Sequence, residues 1–248
     1  MKISGIAVRL GIVLLGAVSL AAPAAAQITC DEGMKPLEAN ATSRMGAMDF
    51  IHDVAAREMA FTKAMPNFNY TVDVTVQTLQ GDKVDGTFHK LSHVTYDSVG
   101  TRTVQAVAAP TDTLTRAKIS DADLEGLRDA FMLSSGLLAE RDIVYAGRQE
   151  FGNINTAVFD VLPRTVQAGE KGFQGRVWVR ISEDAVIRSC GRITGGALSQ
   201  LRYQVQRTRV ADKYYFPGLI HADEETTVGT EKVRFRVLVK YSDYAARQ

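Results

Sequence analysis

Val233-Arg234-Phe235-Arg236-Val237-Leu238-Val239-Lys240-Tyr241 is the stretch whose reading decides the fold. Val233, Phe235, Val237, Val239 and Tyr241 alternate with Arg234, Arg236 and Lys240, and Leu238 is the one interruption. A period of two over nine residues predicts a β-strand with one covered face and one wet face. The same period runs through Tyr70, Val72, Val74 and Val76, set between Thr71, Asp73, Thr75 and Gln77. It returns in Leu201, Tyr203 and Val205, set between Arg202, Gln204 and Gln206. Working outward, Gly, Asn and charged turns separate further expected strands at residues 87–96, 101–107, 141–150, 156–162, 175–181, 185–190 and 221–228. Short connections between one-sided strands predict an antiparallel meander.

Two segments carry a helical period instead. Over residues 42–65, Ala47, Ile51, Val54, Ala55, Phe61 and Met65 share one arc at 100° per residue, with Asp49, Asp53 and Lys63 opposite. Met48 and Met59 lie on its flank, and Pro66 ends it. A second helix starts at Ser120, where Asp123 completes a capping-box-like start, and Leu124, Leu127 and Phe131 stripe one face. Two helices are too few to cover about ten one-sided strands. The sheet must therefore curl, and the expected fold is mainly β: a curled antiparallel sheet forming a half-open β-barrel covered by about two α-helices. Such a sheet either encloses an apolar concavity or is packed solid with its own side chains, and the pattern leaves both open. The residues expected to line a concavity are Tyr70, Val72, Val74, Val76, Leu201, Tyr203, Val205, Val233, Phe235, Val237 and Val239.

The start of the chain predicts export. Lys2 and Arg9 precede and flank an apolar run over residues 10–20, and Ala24-Ala25-Ala26 offers the small residues that a signal peptidase reads. The run is shorter than the ~20 residues a spanning helix needs, so residues 1–26 are expected to be removed, leaving no transmembrane span. Residues 27–248 carry no linker, repeat or low-complexity block and are expected to form one domain. Loss of Lys2 and Arg9 leaves 27 basic against 28 acidic residues. That balance, without a basic stripe, argues against nucleic acid and against an anionic membrane surface as partner.

Cys30 and Cys190 are the two cysteines. In an oxidising compartment an even pair reads first as a disulfide. The rival reading makes Cys30 a lipidated first residue, but Gln27-Ile28-Thr29 lacks the Leu and the small residue of a lipobox. No metal site and no cofactor are implied. His89 and His93 stand four apart, on one face of an expected strand and about 13 Å from each other by strand rise, too far for one ion. His52 sits beside Asp53 on the polar helix face. Gly191-Arg192-Ile193-Thr194-Gly195-Gly196 lacks the lysine of a phosphate loop and reads as a turn. Asp223-Glu224-Glu225 reads as a solvated strand edge, and no nucleophile elbow or catalytic constellation emerges.

Phe173-Gln174-Gly175-Arg176-Val177-Trp178-Val179, preceded by Gly172 and continuing through Glu183-Asp184-Ala185-Val186-Ile187-Arg188, resembles a hairpin of periplasmic outer-membrane lipoprotein carrier and sorting proteins, the Lol-type family. Arg209-Val210-Ala211-Asp212-Lys213-Tyr214-Tyr215-Phe216-Pro217 and Lys240-Tyr241-Ser242-Asp243-Tyr244 are similar to that family's following strand and closing segment. Within the hairpin, Val177, Val179 and Ile181 should face one way and Arg176, Trp178 and Arg180 the other, with guanidinium groups flanking the indole. The resemblance implies a half-open barrel with a helical lid over an apolar cavity for acyl chains, and no enzymatic activity. It also implies an arginine near the lid, for which no position here is matched. The expected function is thus a periplasmic protein that binds a lipid or an acylated protein. The alternatives are a lipid-sensing module docking on an envelope protein and, less readily, a secreted hydrolase.

Overall fold

Alternation in sequence becomes alternation in burial. The computed structural model describes residues 30–31, 33–42, 46–129, 133, 138, 141–163, 173–193, 198 and 200–247. Val233, Phe235, Val237, Val239 and Tyr241 are at most 6 % exposed, whereas Arg236, Leu238 and Lys240 stand in solvent. The expected signal segment, its cleavage point, Phe131, Gly172 and the end of the Gly191–Gly196 run lie outside the described residues.

Among the described residues the strands are β1 (Phe68–Gln80), β2 (Lys83–Tyr96), β3 (Arg102–Ala106), β4 (Thr111–Asp112), β5 (Arg141–Phe151), β6 (Ile154–Pro163), β7 (Phe173–Arg180), β8 (Ala185–Ile193), β9 (Arg202–Val210), β10 (Tyr214–Val228) and β11 (Glu231–Ala246). They form one antiparallel sheet in the order β3-β2-β1-β11-β10-β9-β8-β7-β6-β5, with β4 paired to β2. β5 to β11 is an unbroken meander, and β1 closes against β11, with Val74 opposite Val239 and Val76 opposite Val237. β3 and β5 remain separate ends, so the sheet is open and not a closed barrel.

Three sequence expectations need correction. β4 was not anticipated, because two exposed residues carry no periodicity. β10 begins seven residues before 221: Pro217 and Gly218 read as a break, but the register shift between Pro217 and Leu219 lets the strand pass a residue without an N–H. Gly191, Arg192 and Ile193 end strand β8 rather than forming a turn. Gly191 lies directly opposite Gly175, and a Cβ added to it would come within 2.1 Å of the Gln174 carbonyl oxygen.

Helix α1 (Ala47–Ala64) lies in the hollow of the sheet, followed by a 3₁₀ turn at Met65–Asn67 that contains Pro66. Its buried face is Phe50, Ile51, Val54, Ala55, Glu58, Phe61 and Ala64. Phe50 reaches Phe159 of β6 at a ring separation of 6.0 Å, and Phe61 reaches Tyr214 and Tyr215 of β10 at 6.0 and 6.2 Å. One helix touching strands four places apart in the sheet order requires the sheet to wrap around it. Helix α2 (Asp121–Asp129) starts as expected: the Ser120 hydroxyl donates to Asp123 Oδ2 at 2.6 Å, and the Asp123 N–H donates back to Ser120 Oγ at 3.2 Å.

The convex face carries a smaller second core. The Cys30–Cys190 disulfide ties the segment that begins at Cys30 to β8. Residues 33–42 then run as a strap in which Met34 and Leu37 cover Val158, Trp178 and Cys190. The strap adds to β5 through Lys35 N–H to the Glu150 carbonyl (3.0 Å) and Glu38 N–H to the Arg148 carbonyl (2.8 Å). Gly147 makes this approach possible, since a Cβ there would meet the Glu38 carbonyl oxygen at 2.4 Å. Trp178 Nε1 donates to Gln149 Oε1 at 2.7 Å, and Gln149 Nε2 donates to the Lys35 carbonyl at 2.8 Å. The guanidinium over the indole is Arg188 from the facing strand, at 5.8 Å. Arg176 and Arg180, the residues expected there, pair instead with Asp160 and Glu183. Among the described residues no helix is long and apolar enough to cross a membrane.

Candidate functional site

Strand phase places the site. The concave face of β2 carries Phe88, Lys90, Ser92, Val94 and Tyr96, and register sets Arg102 and Val104 of β3 opposite Tyr96 and Val94. Charged Lys90 and Arg102 are thereby carried to the inner side of the sheet, where long stems can lie along apolar surface and lift their heads to the rim. Above them lies α2. Between β1, β2, β3, β11 and α2 is a cavity of about 140 Å³, floored by Val72, Val74 and Val239 and walled by Val104, Leu124 and Tyr241. Its rim consists of Ser92, Lys90, Asp121, Arg102, Glu125 and Arg128.

The rim groups are fastened to one another. Lys90 Nζ meets Asp121 Oδ1 at 2.6 Å, joining β2 to the start of α2. Arg102 Nη1 donates to Glu125 Oε1 at 2.7 Å, and Arg128 Nη1 meets Glu125 Oε2 at 2.9 Å, so one carboxylate serves a guanidinium from the sheet and one from the helix. Arg102 Nε also donates to the Tyr70 hydroxyl at 3.3 Å. Burial works against the Arg102 charge, but Tyr70 and Glu125 outweigh it and hold its pKa above the ordinary value. Beneath them is a tyrosine cluster. Asp243, at φ 57°, sits in a bulge of β11 that inserts one residue opposite β1, so Tyr241 and Tyr244 both turn inward onto Tyr70, at 6.2 and 5.2 Å. Burial pushes the phenols of Tyr96, Tyr241 and Tyr244 far up, so they remain neutral hydroxyls.

Of the residues expected to line a concavity, Val72, Val74 and Val239 border this cavity. Tyr70, Val76, Leu201, Tyr203, Val205, Val233, Phe235 and Val237 belong to the same buried concave core as the inner face of α1 and are not among the residues lining this cavity. One concave face thus carries both a continuous hydrophobic core and, beside α2, a cavity. α1 is further fixed by a buried ion pair, Glu58 to Arg207 of β9, with Arg207 Nη1 at 2.7 and 2.6 Å from the two carboxylate oxygens. Burial pushes the Glu58 carboxyl up, while Arg207 and the backbone N–H groups of Leu133 and Val186 pull it down by less. Met48 and Met59 are exposed and do not border the cavity.

The sequence reading missed Lys90, Arg102, Asp121, Glu125 and Arg128. Lys90 and Arg102 had a usable signal, since each falls in the inward phase of its strand. Glu58 had one too: it lies four residues after Val54 and three before Phe61, in the middle of the apolar arc. Their partners carried no signal, because the pairings span 23 to 149 residues. His89 and His93 lie exposed on the convex side, bonded to Asp73 (2.8 Å) and Thr71 (3.2 Å). Asp223, Glu224 and Glu225 are tied to basic partners: Arg234 and Arg236, Arg192, and Lys232. Burial raises Asp223, yet the two guanidiniums prevail and hold its carboxyl below the usual range. Among the described residues no group of three or more His, Cys, Asp or Glu side chains is placed to hold a metal.

The chain matches no protein-family model and no curated protein. Its structure is similar to solved structures of the LolA superfamily. A LolA superfamily protein from Nitrosomonas europaea matches at 12% identity over 78% of this chain and 94% of the other, with a TM-score of 0.35. A domain assigned to outer membrane lipoprotein sorting, from Vibrio parahaemolyticus, matches at 13% identity over 79% and 92%, with a TM-score of 0.39. A DUF1329 family protein from Desulfovibrio piger ATCC 29098 matches at 10% identity over 79% and 92%, with a TM-score of 0.42.

Proposed function

We propose that this is an exported, non-enzymatic binding protein of the bacterial envelope, a single domain that holds an acyl chain or similar lipidic group between the sheet and α2. The observation that carries the reading is the contrast between the two helices. α1 is sunk in the hydrophobic core and locked by an ion pair. α2 covers a void, buries Leu127, half-buries Leu124, and is otherwise tied down by side-chain ion pairs at its rim. With so little buried apolar surface among its described residues, α2 opens at low free energy. Exposing Leu127 and the covered part of Leu124 costs about 2–4 kcal/mol. The partly exposed ion pairs add about 1 kcal/mol each at most. An entering alkyl chain recovers ~0.8 kcal/mol per methylene, so roughly five to eight methylenes offset the opening. With α2 in place the cavity of about 140 Å³ accommodates only a short alkyl segment, so a whole chain enters as α2 lifts.

The test is titration with a fluorescent fatty acid. Wild-type protein should bind stoichiometrically, and Val72→Phe, which fills the floor of the cavity, should weaken binding at least tenfold while keeping its circular dichroism. Folded wild-type protein that binds no lipid refutes the carrier reading and favours a module that docks on an envelope protein. Export is checked by mass spectrometry: the mature chain should begin at Gln27, whereas a diacylglyceryl-modified Cys30 as first residue overturns it.

A further inference from the structure

We infer that the ligand is an anionic amphiphile, whose carboxylate or phosphate headgroup displaces Glu125 and bridges Arg102 and Arg128 at the cavity mouth. This rests on the lipid-binding reading and adds the chemistry of the head to that of the chain. The two guanidiniums are set on opposite sides of the opening, one on the fixed strand β3 and one on α2. Both are largely withdrawn from water, with side chains 21 % and 19 % exposed, while the carboxylate they share is 41 % exposed. The pair of cations is therefore the preformed part of the arrangement, and Glu125 is its replaceable part.

The geometry states what can replace it. Glu125 offers one oxygen to Arg102 at 2.7 Å and the other to Arg128 at 2.9 Å. A second two-oxygen anion reproduces both contacts, and charge-assisted bonds of this kind are roughly twice as strong as neutral ones. Glu125, once displaced, turns into solvent from an exposed helix face. Directly below are Val72, Val74 and Val239, so the atom joined to the anion must be apolar. Around the mouth stand Lys90, Arg102 and Arg128 with Asp121 and Glu125. A neutral head would leave Glu125 in place and gain nothing from the arginines, and a cationic head would be repelled. Because the bridge spans β3 and α2, a bound anion tethers the lifted helix to the sheet beside its own chain.

The experiment compares C14 probes below their micellar concentrations: myristate, myristyl phosphate, myristyl alcohol and tetradecyltrimethylammonium, with inorganic phosphate as a chainless control. Both anions should bind at least tenfold more tightly than the alcohol, and the cation more weakly than the alcohol. In Arg102→Gln the anion-to-alcohol ratio should fall towards one, and in Glu125→Gln it should rise severalfold because the internal competitor is gone. Each ratio is taken on a single variant, so partial unfolding lowers both terms together. Equal affinity for anion, alcohol and cation overturns the headgroup inference and leaves the lipid reading standing. Inorganic phosphate competing as well as myristyl phosphate overturns it in favour of a simple anion site. Failure of every probe removes the lipid reading itself.

Discussion

Breaking the ion pair under α1 should unfold the protein far more readily than its single hydrogen-bonded contact suggests. Glu58 is fully buried, and the Arg207 side chain is 4 % exposed. Glu58→Gln keeps the shape and leaves a guanidinium in the core without its counter-charge, which costs about 3–5 kcal/mol. For a domain of this length, 1 kcal/mol moves Tm by about 2–4 °C, so the midpoint should fall by roughly 6–20 °C. Arg207→Gln should be comparably destabilising near neutral pH, with a distinctive pH dependence. Burial already raises the Glu58 carboxyl above its ordinary 4.5, and loss of Arg207 raises it further. Between those values the folded state binds more protons than the unfolded state, so its stability falls with rising pH. Arg207→Gln should therefore keep the Glu58 contribution in full below about pH 4.5 and lose it as pH rises through the folded pKa, with its deficit against wild type smallest at acid pH. The double variant Glu58→Leu/Arg207→Met removes both charges and should recover most of the loss. Urea unfolding of the four proteins, with Glu58→Gln/Arg207→Gln added to complete the thermodynamic cycle, measures the coupling. Single variants within 1 kcal/mol of wild type, or a double variant as unstable as the sum of the singles, would refute the argument that α1 is fixed by this pair.

Two further outcomes follow from the same packing. Cys30→Ala/Cys190→Ala opens a loop of 160 residues and should lower stability by up to about 5 kcal/mol in the chain-entropy account. The emission of Trp178, the one tryptophan, should shift red as Met34 and Leu37 lift away; recovery of free thiols from native protein would contradict the premise. Val237→Glu places a carboxylate between Val76 and Ala222 in the filled core, not at the cavity, so it should unfold the protein at neutral pH rather than merely block ligand. A folded, soluble variant with wild-type Tm would show the packing there to be wrong.

Strand phase was legible wherever one face is wet. The alternation of Val233 to Tyr241, and of Tyr70 to Val76, named the inner face correctly because period-two patterning and burial have the same cause. The helix arc and the Ser120–Asp123 start were legible for a similar reason, since each is set by neighbours within a few residues. The Cys30–Cys190 bridge was legible from cysteine arithmetic alone. Pro217 misled, because a local rule against proline in strands does not foresee a bulge made with the neighbouring strand.

The sequence by itself determined which side of each strand is apolar and that the sheet had to curl. Only the tertiary structure decided how the resulting hollow is shared: Phe50, Ile51, Val54 and Phe61 of α1 pack into it, and a cavity of about 140 Å³ remains beside α2. Whether a hollow is filled depends on side-chain volumes meeting from elements far apart in the chain, and no periodicity encodes that sum. The rim was equally hidden, because Lys90, Arg102 and Glu125 look like ordinary surface charges until β2, β3 and α2 are brought together. Hydrophobic periodicity records what each segment must hide from water; which charges then meet is decided by the distance between segments, and that is a property of the folded chain alone.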